Sequence, residues 1–206
     1  LALLVAGGFA WLGQWQLSHA VTLNNESAVD DATVRPLNEV TAPGKPVTDE
    51  SAGYVFGATG AFVAGDFMVV EQRRNGDKEG AWVIGHFDVQ GSPSGGLAVA
   101  IGWAPDVAAA KLSLQAVERQ FAGKELAIEG RYMPGDAPVV PSPDSDSASL
   151  LSMAPSQLVN LWQPFEGGSY AGFLVMHPGD ELNADQLIDA GLETIDSVPP
   201  LPVGAI

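Results

Sequence analysis

DFMVVEQRRNGDKEGAWVIGHFDVQGSPSGGLAVAIGW, residues 66–103, holds three strand-length apolar runs separated by turn chemistry. Asp66 to Gln72 is rich in β-formers, and within Arg73-Arg74-Asn75-Gly76-Asp77 the Asn-Gly pair supplies the positive backbone dihedrals of a tight hairpin. Gly80 to Val89 is the return run. Its alternation puts Trp82, Ile84 and His86 on one face and Val83, Gly85, Phe87 and Val89 on the other, so both faces are largely apolar. A second turn, Gln90 to Gly96, leads into the uncharged Leu97–Trp103. Both connections are too short for crossovers between parallel strands. The expected fold is therefore mainly β (α+β), an antiparallel barrel or sandwich with one or two short helices, and the choice between barrel and sandwich stays open.

Working outward, Tyr54-Val55-Phe56 opens an earlier strand segment in which Gly53, Gly57 and Gly60 suggest bulges or close backbone approach. After Pro105, the residues Val107, Ala110, Leu114, Val117 and Phe121 recur every three or four positions, which predicts one amphipathic helix capped by Asp106 and stopped near Gly123. Lys124 to Met133 has the period of a half-buried strand, with Leu126, Ile128 and Tyr132 inward. Pro134 to Ser149 reads as a surface loop. Met153 to Trp162 reads as a short helix or turn with Pro155 at a first helical position, and Ser169 to Met176 as the last strand. Asn183 with Gln186 makes a capping-box signal for a brief helix, and Ser197 to Pro202 is stiff and extended. No internal repeat is visible.

The first seventeen residues, LALLVAGGFAWLGQWQL, carry no charge, and the first ionised side chain is Glu26. A helix needs about 20 residues to cross ~30 Å of hydrocarbon. The run, which starts mid-apolar and without Met, therefore reads as a span that lacks its start. Trp11 and Trp15 share a helical face at its polar end, where indoles favour the membrane boundary. The alternative is a secretory signal peptide, but the run ends in Gln14-Trp15-Gln16-Leu17 and not in a small-residue cleavage pattern, although Ser18-His19-Ala20 follows. Small residues including Gly13, together with the polar Gln14 and Gln16, suit helix association in lipid. Gly13, Gln14, Trp15, Gln16 and His19 are accordingly the candidate partner contacts in the membrane. The expected organisation is a transmembrane helix over 1–20, an extended connector over 21–52, a soluble β-rich domain over 53–198, and 199–206 as the approach to a further span.

Nine Lys and Arg against 25 Asp and Glu give a net charge of −16, which repels phosphate backbones and excludes nucleic acid as a partner. So few basic residues after a span place the domain on the extracytoplasmic side of the cell membrane. With no Cys, neither disulfides nor thiolate metal sites are available. His19, His86 and His177 lack metal-ligand spacing, and His86, mid-strand among apolar residues, reads as a hydrogen-bonded sheet histidine. Asp144-Ser145-Asp146-Ser147 lacks the glycine and distal glutamate of a calcium loop. No nucleophile, phosphate-loop or dinucleotide motif is present, so an enzyme is not expected and no metal or catalytic residue is assigned.

Four segments then line up in order: Leu12-Gly13-Gln14-Trp15-Gln16-Leu17, Val99-Ala100-Ile101-Gly102-Trp103-Ala104-Pro105, Ile128-Glu129-Gly130-Arg131 and Leu158-Val159-Asn160-Leu161-Trp162. Together they resemble the surfeit-locus (Surf-one) family of cytochrome c oxidase assembly proteins, with Gly102 and Trp103 as family-motif positions. The chain departs from the family pattern at His19 and Ile101, where arginines are usual. The resemblance implies an extracytoplasmic domain between two membrane helices, the second of which is absent from this sequence. It implies a role in maturing the haem a-containing subunit, with haem a bound, where it is bound, through that second helix. No cofactor is therefore assigned to this chain. The implied partners are cytochrome c oxidase subunits or a respiratory supercomplex, together with membrane lipid. The leading reading is a membrane-anchored, non-enzymatic assembly factor or accessory component of a haem-copper oxidase. The competing one is a membrane-tethered extracytoplasmic binding module for a solute or envelope component, which requires a sizeable pocket.

Overall fold

In the computed structural model the described residues are 34–91, 94–139, 150–164, 167–179 and 181–195. The elements run β1 (Arg35–Pro36), α1 (Leu37–Val40), β2 (Val55–Asn75), β3 (Lys78–Val89), β4 (Gly95–Ala104), α2 (Val107–Phe121), β5 (Glu125–Pro134), α3 (Pro155–Leu158), β6 (Gly168–His177) and α4 (Ala184–Asp189). The proposed span over residues 1–20 and the tail from 196 lie outside the described residues. Among the described residues no helix is long and apolar enough to cross a membrane.

β2, β3 and β4 form the antiparallel meander expected from residues 66–103. The hairpin turn sits one residue later than the Asn-Gly reading. Asn75 pairs with Lys78, and Gly76, at φ +58°, leads the two-residue loop. β2 is a single strand of 21 residues, about 70 Å if it were straight at ~3.3 Å per residue, and a small barrel cannot hold it unbent. It bends where its register with β3 shifts, between Phe62 and Phe67 and between Val70 and Arg73. Gly65 (φ +86°) lies at the first shift and Gln72 (φ +57°) at the second.

The first half of β2 pairs with β5, β5 pairs with β6, and β6 lies parallel to β4. The circuit β2-β3-β4-β6-β5-β2 closes into a five-stranded barrel, with β1 added in parallel to β2 over two residues. The arrangement is thus a barrel and not a sandwich, mainly antiparallel as expected, with β4–β6 as the one parallel pair among the five barrel strands. A long bent first strand shared by both sides, a helix between the third and fourth barrel strands, and a parallel third–fifth pair make this the topology of the OB-fold.

Alternate barrel residues point in and out, and both sets are buried here. One set draws on all five strands, with Phe56, Phe62, Val83, Phe87, Val99, Ile101, Ile128, Tyr132 and Leu174, and takes in Val117 and Phe121 of α2. That is the filled interior, with α2 against it. The opposite set, Trp82, Ile84, Ala98, Ala100, Phe173 and Val175, is covered by Leu150, Met153, Leu158 and Trp162. Residues 150–163 therefore run as a strap across the outside of β3, β4 and β6. This accounts for the apolar character of both faces of Gly80–Val89.

α2 forms as its periodicity predicts. Asp106 Oδ1 accepts from the Ala109 N–H at 2.8 Å, and Gly123 follows the helix at φ +72°. The capping box of α4 is also present, with Asn183 and Gln186 bonded reciprocally. The extended-connector reading of 21–52 does not hold over 34–52. Leu37 enters the interior at 1% exposure, a burial that contributes roughly 2 kcal/mol. Pro43 wedges between the glycines that begin β4 and β6, so that a Cβ on Gly95 would lie 2.3 Å from its Cγ. The Gly44 N–H donates to Ser169 O at 2.9 Å. Isolated apolar residues between prolines carry no periodicity, which is why the local sequence does not announce this docking.

Candidate functional site

The most chemically distinctive cluster lies under the strap. Asp66, at the first bend of β2, and His86, on the outward face of β3, are 1% and 0% exposed. The His86 Nδ1–H donates to Asp66 Oδ2 at 2.7 Å, and Asp66 Oδ1 accepts from the Gln163 N–H at 2.8 Å. The Trp162 indole stacks on the imidazole, 4.0 Å between centroids and 5° from parallel. One carboxylate thus joins a barrel histidine to the strap backbone, and the adjoining strap residue covers the ring. A histidine serving as acid or base must reach its substrate's proton. This one is shut away from solvent and is built for holding. Its reading as a hydrogen-bonded sheet histidine is correct. The link to Asp66 and Trp162 has no signal in sequence spacing.

A second carboxylate holds the other end of the strap. Asp136, just beyond β5, pairs with the Arg73 guanidinium and accepts from the Met153 N–H at 2.8 Å. Arg73, aimed by the bulge at Gln72, also lies 4.7 Å over the Trp82 ring, a cation–π geometry.

Of the sequence-predicted positions, Gly102 and Trp103 lie at the end of β4, fully packed. The Trp103 Nε1–H donates to Arg73 O at 3.0 Å, and its backbone exchanges two 2.8 Å bonds with Glu193. A Cβ on Gly102 would lie 3.0 Å from the Leu192 Cβ, so the glycine admits the segment that follows α4. Lys78 Nζ sits 5.9 Å from the centre of the Trp103 ring. These motif residues build the fold, as do Gly130 on β5 and Trp162 in the strap. Ile101, where the resemblance implies an arginine, is fully buried in the barrel interior among apolar side chains, which suits an aliphatic group and not a guanidinium. Gly13, Gln14, Trp15, Gln16 and His19 lie outside the described residues.

A cleft of about 230 Å³ between β2, β3 and the start of α2 is lined by Glu71, Gln72, Glu79, Gly80, Pro105, Asp106 and Val107. Small-molecule sites usually measure about 300–1,000 Å³, and Asp106 is already spent on capping α2. Among the described residues no group of His, Asp and Glu is placed to hold a metal ion.

In the interior, burial pushes the Tyr132 phenol up from 10.0 to about 12, against smaller opposing effects of the Gly172 N–H and Thr41. Burial also raises Tyr170. A raised folded-state pKa stabilises the fold fully below the unfolded value and loses that contribution as pH rises through the folded one. Urea midpoints are therefore expected to fall between about pH 10 and pH 12, and Tyr132→Phe is expected to flatten that fall. An unchanged slope in Tyr132→Phe would assign the loss to other groups.

Compared with protein families, residues 3–202 match the model of the SURF1 family. None of the curated proteins compared with the chain matches it.

Proposed function

The chain belongs to the SURF1 family, which is generally linked to cytochrome oxidase assembly, and from that premise we propose that it is a non-enzymatic assembly factor or retained accessory component of a haem-copper cytochrome c oxidase. Leu1–Leu17 anchors it in the cell membrane, and the barrel works on the extracytoplasmic side against oxidase subunits or a supercomplex. The family match over nearly the whole chain carries this reading. The packed barrel supports it: its interior is occupied by the chain's own side chains, and a module of that kind meets partners through its surface. The OB topology by itself decides nothing about function. A net charge of −16 sets this member apart from OB-folds that grip oligonucleotides.

Haem a comes into this proposal through the family alone, and the buried His86 is not open to it. His86 is bonded to Asp66 beneath Trp162, and His177 closes β6 just before Pro178.

The test is purification of the tagged chain in mild detergent, scored for oxidase subunits and haem absorption. Recovery of oxidase subunits is the expected result, and a chain that comes through alone would overturn the proposal. Replacing Leu1–Leu17 with an unrelated span of equal length should lower that recovery. Unchanged recovery would assign the contact to the barrel.

A further inference from the structure

We infer that residues 150–163 are a strap that opens as a unit from a barrel that stays folded, and that two carboxylates, Asp66 and Asp136, hold it shut. The barrel is knitted by continuous ladders, whereas the strap is irregular apart from the four-residue α3. Among the described residues its polar ties to the rest of the chain include a bond of 3.4 Å from the Val139 N–H to Ser152 Oγ, two backbone bonds and two carboxylate clasps. Glu71 N–H donates to Leu150 O, and Asp136 N–H donates to Met153 O, each at 2.8 Å. The two carboxylates capture the Met153 and Gln163 N–H groups. Each clasp has the same design, since the carboxylate also pairs with a basic side chain of the barrel, Arg73 or His86, and each basic side chain lies on a tryptophan. Core strands open last in a fold, and a segment outside their ladders, even one that buries Met153 and Leu158, opens at lower free energy than the sheet beneath it. Removing the charge at Asp66 weakens two charge-assisted bonds together.

Opening would uncover Trp82, Ile84, Ala98, Ala100, Phe173 and Val175. These lie on the outer face of the second, third and fifth barrel strands. OB-folds commonly use the face of the second and third for ligands. In this chain that face is closed by its own strap.

Hydrogen exchange read by mass spectrometry on the full chain in detergent, with D66N and D136N alongside, tests the inference. In the wild type, amides of 153–163 are expected to exchange at least about tenfold faster than those of β3 and β4, with a smaller dependence on denaturant than the barrel shows. D66N should speed the strap by about another tenfold and leave β3 and β4 unchanged. It should also create binding of 8-anilinonaphthalene-1-sulfonate that the wild type lacks. D136N, at the more exposed clasp, should show a smaller effect of the same kind. A strap that exchanges together with the barrel, or a D66N variant that speeds both equally, would overturn the inference. If D66N does not fold, the denaturant dependence of wild-type exchange decides alone, and a dependence equal to that of β3 counts against the strap.

Discussion

Trp103→Ala is expected to cost the domain about 3–5 kcal/mol, the range for deleting a buried aromatic side chain, against a total stability of roughly 5–15 kcal/mol for a domain. The ring is 1% exposed. It lies where a side chain on Gly80 would otherwise sit, because a Cβ there would come within 2.6 Å of Trp103 Cε2 and Cζ2. Truncation therefore leaves a hole between β3 and β4 and abandons the hydrogen bond to Arg73 O. It also loosens the strand end that pairs with Glu193. Trp103→Phe keeps most of the apolar contact and loses the indole N–H, so it should cost less than the alanine variant, with about 1 kcal/mol of its loss from the bond. Urea unfolding followed by circular dichroism gives both numbers. A loss below ~1 kcal/mol in Trp103→Ala would mean that the family-motif tryptophan serves something other than packing.

Gly130→Val should be at least as damaging, by about 3 kcal/mol or more, through overpacking against backbone. An added Cβ would lie 2.3 Å from the Val175 carbonyl oxygen and 2.9 Å from Leu174 Cγ and Met176 Cα. Gly130 pairs with Met176 in the β5–β6 ladder, so relief requires prising apart the strands that close the barrel. The matched control is Gly123→Ala. Gly123 has φ +72° and open space around it, so its substitution costs only the left-handed strain, about 1 kcal/mol. Equal losses at the two positions would show that conformational freedom, and not close approach, explains the Gly130 motif.

The meander, α2 and the caps were legible because each rests on residues that are neighbours along the chain. Period-two alternation identifies Lys124–Met133, and a three-four spacing identifies Val107–Phe121. Asn183 with Gln186 marks the start of α4. The candidate site was legible only in pieces. His86 was visible as a strand residue and Trp162 as part of a motif. Asp66 is an unremarkable start to an apolar run, and nothing in their spacing says that the three meet. Gly102 and Trp103 were found through the resemblance. Their work, admitting Leu192 and binding Glu193 and Arg73, depends on segments that reach them from far along the chain.

By itself the sequence determined the β-rich class, the position of α2, the excess of negative charge and the doubly apolar character of β3. All of these follow from composition and from local periodicity, which act over a few residues. Tertiary structure alone decided that the sheet closes as a five-stranded ring through a parallel β4–β6 pair, that Leu37 and Pro43 belong to the domain, and that a strap clasped by Asp66 and Asp136 covers the outer face. Each of these turns on contacts between segments distant in sequence. Their free energy comes from apolar burial and from pairing buried charge, and neither leaves a periodic trace in the local chain.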